Sequence, residues 1–235
     1  ILNLYALSNS SPVSLSVELY TLNMPWVDRQ ATWFQASDAY PWHEPGAGAL
    51  GIDCSEGAIT TMMVSEAPRW YNFDVTQVVQ KWVDLPWTNQ GLLLRGEGTV
   101  SVAYHFASSE WVEQRFRPQL YVRYRPVTPT PGPSPTPYVP TPRPTMCPTA
   151  SPTRFITSTP VPTATLTPTL VVRVRTYQRG LDGYWGVEDT YIDSWHPERN
   201  YADEGTFIVR QGGIRSSLIR FDLSDFPPDC RIIQA

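Results

Sequence analysis

The chain has 235 residues, 41% of them hydrophobic, with 24 prolines and nine tryptophans, enough apolar material for one large β domain or two small ones. The net charge is −4, and the 18 basic residues are 17 Arg and the single Lys81, scattered without a stripe, so the electrostatic footprint of a nucleic-acid partner is absent. No stretch approaches 18 apolar residues in a row and no charged n-region with an apolar h-region opens the chain, which argues against a membrane span; the first residue reads as the start of a processed product or of one unit of something longer.

In chain order, "ILNLYAL" reads as the remainder of a strand. In "VSLSVELYTL", Val13, Leu15, Val17 and Leu19 face one way and Ser14, Ser16, Glu18 and Tyr20 the other, the period-2 pattern of a half-buried strand. "FDVTQVVQKWVD" breaks the alternation: Val75, Val78, Val79 and Trp82 recur at helical spacing behind Asp74, an N-cap residue type, which predicts one short helix at an end of the domain. "TVSVAYHF" and "PQLYVRYR" return to alternation, as do "VVRVRTY", "TFIVRQ" and "SSLIRFDLS" later in the chain. Many short strands separated by turn residues predict an all-β fold, a jelly-roll-like antiparallel β-sandwich.

Between them, residues 126–170 hold 14 of the 24 prolines and 13 threonines, with only Arg143 and Arg154 charged. Proline removes backbone donors and the side chains bury little, so this tract cannot pack a core. It favours extended polyproline II, rising ~3.1 Å per residue, a spacer on the order of 140 Å. Alternating Thr and Pro is also the composition of an O-glycosylated stalk, the alternative being a bare linker. The candidate glycan acceptors are Thr128, Thr130, Ser134, Thr136, Thr141, Thr145, Thr149, Thr153, Thr157, Thr159, Thr163, Thr165, Thr167 and Thr169. The tract suggests secretion. In that setting Cys54 and Cys230 are candidates for a disulfide that leaves Cys147 free for a neighbour, the alternative being three unconnected thiols.

Joining the last residues, "RIIQA", to the first, "ILNLYAL", places Ile233, Ala235, Leu2, Leu4 and Ala6 on one face and Ile232, Gln234, Ile1, Asn3 and Tyr5 on the other, with no slip of register. Read in that joined order, "TYQRGLDGYWGVEDTYIDSW" (Asp189, Thr190, Ile192), "LIRFDLS", "MPWVDRQATW" (Trp26, Thr32, Trp33), "YNFDVTQVVQKWV" and "RFRPQLYVRY" together resemble the DNRLRE family of extracellular β-sandwich domains, which is related to a family of carbohydrate-binding modules. The resemblance covers all but the tract, in circularly permuted order. It implies that residues 1–125 are the C-terminal portion of a sandwich, 126–170 a linker, and 171–235 the N-terminal portion of a sandwich. That sandwich would be completed by residues 1–125 of the next unit, whether in a tandem array or by strand exchange; a chain that folds back on itself is the remaining arrangement. Ile233, Ala235, Ile1, Leu2 and Leu4 form the expected junction.

The chemistry-bearing residues point away from catalysis. "GAGALG" at 46–51 lacks the strand and helix of a dinucleotide site and reads as a loop. His43, His105 and His196 are dispersed and match no metal spacing, and no pair is singled out among carboxylates such as Glu110, Asp193 and Glu198. "HPERNYADEG" has oxygen donors for calcium without an EF-hand spacing, and Asn9-Ser10-Ser11 is a formal sequon. Trp185 and Trp195 lie in loop-like sequence, where they would either stack on sugar rings or plug the sandwich ends; Trp26, Trp33 and Trp82 fall in the family's recurrent stretches, and the resemblance implies that they are core. The resulting expectation is a non-enzymatic, cofactor-free extracellular fibre subunit, joined head to tail to copies of itself and carrying glycans. A polysaccharide-binding module is the alternative.

Overall fold

Alternating sequence becomes strand because a period-2 pattern lets a pleated ribbon bury one face. In the computed structural model, which describes residues 1–126 and 171–235, the strands are β1 (Leu2–Asn9), β2 (Leu15–Thr21), β3 (Gln35–Ser37), β4 (Tyr40–Pro41), β5 (Thr60–Val64), β6 (Arg69–Phe73), β7 (Leu92–Glu97), β8 (Ala103–Ala107) and β9 (Gln119–Pro126). Beyond the tract come β10 (Arg173–Tyr177), β11 (Val187–Asp193), β12 (Thr206–Arg210), β13 (Arg215–Phe221) and β14 (Cys230–Gln234); helix α1 (Thr76–Asp84) lies between β6 and β7. The expected spacer, its hydroxyl candidates and Cys147 fall outside the described residues.

Twelve strands pair antiparallel in one curled sheet, in the order β10-β9-β1-β8-β12-β13-β7-β2-β5, with β6 added to β1, β11 to β13 and β14 to β9; β3 and β4 form a separate ribbon. The fold is an all-β sandwich with one short helix. Both sides of the tract belong to one unit, and the second segment is not an appendage. β12 pairs with β8 along its whole length and β13 pairs with β7, so these two strands bridge what would otherwise be two open edges of the first segment. Of the three arrangements that the joined order allows, the one seen within this single chain is the fold-back. The main core is correspondingly shared: Leu2, Leu4, Val17, Phe73, Tyr104 and Phe106 from the first segment meet Tyr177, Phe207, Ile219 and Phe221 from the second.

Helix α1 is amphipathic as its spacing requires. Val75, Val78, Val79 and Trp82 are buried in the main core; the N-cap is Val75, which makes no side-chain capping bond, and Asp74, expected there, lies one residue earlier with Oδ1 accepting the Thr76 N–H at 2.9 Å. A smaller second core was not expected. The excursion between β2 and β5 folds Leu22, Trp26, Ala36, Trp42 and Cys54 against Leu93, Ile192 and Leu218 on the opposite side of the central strands. Trp33 packs at its margin and lies over Gly46, whose φ of +80° and absent Cβ permit the contact; a Cβ there would come 2.5 Å from the indole. Cys54 belongs to this second core and Cys230 to the main one, and both are free thiols. The expected Cys54–Cys230 bridge is therefore not formed, because the sheet separates the two clusters.

Candidate functional site

The junction is built on β9. Cys230, Arg231 and Ile232 of β14 face Pro126, Arg125 and Tyr124, and after a register shift Gln234 faces Arg123. Further along β9, Ile1 exchanges hydrogen bonds with Tyr121: its amine donates to the Tyr121 carbonyl at 2.6 Å, and the Tyr121 N–H donates to the Ile1 carbonyl at 2.9 Å. Leu2 then faces Leu120 and Asn3 faces Gln119. Val122 alone lies between the partners of Gln234 and Ile1, matching the one residue, Ala235, that separates them in the joined order. β14 and β1 thus lie end to end in one register, as a single strand would.

The opposite edge of β14 is held by the helix. Gln80 Oε1 accepts the Ile232 N–H at 2.8 Å, and Gln80 Nε2 donates to the Cys230 carbonyl at 3.1 Å. The Ala235 N–H donates to Thr76 Oγ1 at 2.8 Å, that hydroxyl donates to the Ala235 carbonyl at 3.1 Å, and the Val75 N–H reaches the same carbonyl at 2.7 Å. Thr76 and Gln80, four residues apart on one helix face, do the work of a neighbouring strand. Nothing in the alternation pattern pointed to them; the only signal was two polar residues at i, i+4 beside the apolar stripe.

Four of the five residues expected at the junction lie on the face that the joined alternation assigns them within this chain. Leu2, Leu4 and Ala235 are fully buried and Ile1 is half-buried. Ile233 is the correction: it is 42% exposed while Ile232 is 4% exposed. Ile233 is the extra residue of a β-bulge between Ile232 and Gln234, and a bulge reverses the alternation on one side of itself.

Trp185 and Trp195, expected either to stack on sugars or to plug the ends, both stand in solvent, 66% and 53% exposed. They flank β11 at its two ends, separated by a seven-residue strand of roughly 20 Å, so they cannot grip one sugar ring together. Trp195 lies beneath the guanidinium groups of Arg210 and Arg215, 4.6 and 5.0 Å from its centroid. Its backbone N–H donates to Asp193 Oδ1 at 3.0 Å, and Asp193 Oδ2 also binds Arg215 and His196. Burial would raise the Asp193 pKa, but these donors outweigh it and hold the carboxyl below its ordinary value. Trp185 forms the wall between two adjoining clefts, of about 680 Å³ and 430 Å³. Arg179 caps one face of its ring at 5.6 Å and is itself paired with Glu110. Trp26 and Trp82 are buried as expected, whereas Trp87, not singled out by its sequence, is 72% exposed.

The remaining candidates are structural in placement. Asp53, fully buried, accepts the N–H groups of His43, Glu44 and Ala49 and so ties down the 46–51 loop. In the 196–205 loop, Asp203 pairs with Arg29 and Glu204 with Arg199, while Asn200 donates to the carbonyls of Asp28 and Ala31. Two of the loop's three acidic side chains, Asp203 and Glu204, are thereby turned to arginines, and among the described residues no three metal-ligating side chains converge. Glu198 is exposed, and Asn9 is half-buried with its amide donating to the Ser11 carbonyl at 2.9 Å. Asp189 is the strongly perturbed acid: wholly buried and receiving the Ser109 N–H at 2.7 Å, it is pushed up to about 7 by desolvation.

Searches of the curated proteins and of the solved structures each returned no match. A comparison with protein families matched residues 1–122, just over half of the chain, to the disaggregatase related repeat domain, which does not confirm the resemblance to DNRLRE domains. The match takes in β1 to β8, the helix and the start of β9, where Leu120 and Gln119 face β1, and it ends just before Arg123–Pro126, the partners of β14. The chain belongs to the disaggregatase related repeat family.

Proposed function

We propose that the chain is a non-catalytic structural repeat of an extracellular assembly, in which sandwich units joined head to tail alternate with glycosylated Thr/Pro spacers. The observation that carries this reading is the common register of β14 and β1 on β9. A strand slot of that kind accepts residues 230–235 with the same pairing whether they come from the same chain, from another copy, or from an adjacent unit of an array. A head-to-tail contact that does not close on itself propagates as a filament. Membership of a repeat family and the sequence of the tract support the same reading, and the motif resemblance to extracellular DNRLRE domains is what favours an extracellular setting. Negative-stain electron micrographs of the purified full chain test it: extended filaments are expected, lost in Ile232→Asp, whose charge would be buried in the slot. Uniform isolated particles at high protein concentration would refute it.

A second reading is favoured by the exposure of Trp185 and Trp195. On this reading the unit also contacts polysaccharide through its aromatic surface, and the test is retention of the full chain on immobilised polysaccharide.

A further inference from the structure

We infer that the cleft between Trp185 and the Pro86–Asn89 turn is a subsite for a neutral hexose-based glycan, with the indole of Trp185 as its platform and Asn89 Oδ1 as acceptor for a sugar hydroxyl. This deepens the second reading above and rests on it. Three independent features converge there. First, Trp185 is an exposed but fixed ring. Arg179 lies over one face and is anchored in turn by Glu110, so the other face is presented without the entropy cost of ordering a mobile side chain. Second, Asn89 Oδ1 is buried and has no hydrogen-bond partner among the described residues, while its amide is fixed by donation to the Phe221 carbonyl at 2.8 Å. A buried acceptor of this kind gains a bond whenever a ligand donor reaches it. Third, the cleft of about 430 Å³ is of ligand size and shares Trp185, Gly186, Asp222 and Ser224 with the larger one, so both lie beside the same indole.

The charges select the class of glycan. Arg220 is paired with Glu188 and Arg175 with Asp225. Asp222 and Asp182 line the same surface with no basic partner among the described residues, Asp222 Oδ1 accepting only the Ser224 N–H at 2.8 Å. The uncompensated charge is negative. Carboxylate or sulfate groups on a glycan would be repelled, whereas sugar hydroxyls find acceptors.

Affinity electrophoresis of the full chain tests this, in native gels containing hydroxyethylcellulose, galactomannan or laminarin and in gels containing alginate or chondroitin sulfate. Retardation is expected in at least one neutral gel and in neither anionic gel. Trp185→Ala should weaken it roughly tenfold or more and Trp185→Phe much less; Asn89→Ala should weaken it roughly two- to tenfold; Trp195→Ala should leave it unchanged. Thermal melting and sedimentation of Trp185→Ala, a surface change, should match the parent chain. Retardation by the anionic gels alone, by neutral gels regardless of Trp185, or an effect of Trp185→Ala on self-association instead of retention, would overturn the subsite. Loss of retention in Trp195→Ala with Trp185→Ala unaffected would remove this subsite and leave polysaccharide contact standing, and no retention in any gel would remove both.

Discussion

Separating the two segments is the sharpest perturbation of this fold. The second segment supplies Tyr177, Val187, Tyr191, Tyr201, Phe207, Ile208, Val209, Ile219, Phe221, Phe226 and Ile232 to the main core. At about 1.5–3 kcal/mol for each large side chain removed from water, this is a gross transfer term on the order of 20 kcal/mol. A net stability of ~5–15 kcal/mol cannot absorb that loss. It also leaves β7 and β8 with unpaired edges where β13 and β12 had been. Residues 1–126 expressed alone should therefore lack a cooperative unfolding transition and the near-ultraviolet circular dichroism of packed aromatics. Mixing them with a separate chain of residues 171–235 should restore both, because every pairing between the segments is non-covalent. A cooperative melt by residues 1–126 alone, unchanged by the second segment, would refute the shared-core reasoning, and failure to reconstitute would remove the physical basis for completing one unit with strands of another.

Other predictions follow from single side chains. Gln80→Ala removes the two bonds that Gln80 makes to β14, leaving those of Val75 and Thr76 to Ala235, and should cost about 1–3 kcal/mol, with faster hydrogen exchange at the Ile232 amide than at β1 amides. Asp189 is held protonated in the native state up to about pH 7 against an ordinary value of 3.8. The native state therefore keeps a proton that the unfolded state has lost, and this group's contribution declines as pH rises from about 4 to 7. Urea melts across that window should show Asp189→Asn gaining relative stability with pH, by on the order of 4 kcal/mol at pH 8; parallel curves for the two proteins would contradict it. Asp193→Asn leaves Arg215 without its buried counter-charge and should destabilise by roughly 3–5 kcal/mol in denaturant titration. Cys54 and Cys230, both buried with thiols pushed up in pKa by desolvation, should react with a thiol reagent only on unfolding.

What was legible in the sequence follows physical range. The alternation of Leu15, Val17 and Leu19, and the helical spacing of Val75, Val78, Val79 and Trp82, are local signals, and the structure buries these residues as expected. The joined strand was legible for the same reason, since its pattern runs unbroken from Ala235 through Leu2 and Leu4. Ile233 was misplaced because a bulge has no signature in alternation: it depends on the partner strand, here β9. Trp26 was expected in the core, but its separate cluster with Trp42 was not legible because the residues of the excursion follow no period and meet only once it packs back on the sheet. The exposure of Trp185, and the pairing of the acidic groups near it with Arg175, Arg179 and Arg220, are set by contacts between residues far apart in the chain. For the same reason Asn89 carried no signal at all.

The central proposal is that the slot along β9, which this single chain fills with its own β14, is filled in the assembly by the end of another unit. The pair Arg123→Cys and Gln234→Cys, facing one another across β9 and β14 and introduced together with Cys147→Ser, tests it directly on an oxidising, denaturing gel. Head-to-tail assembly predicts a disulfide-linked ladder of dimers, trimers and larger species that collapses to monomer on reduction. A single monomer band closed on itself, at every protein concentration, would contradict it.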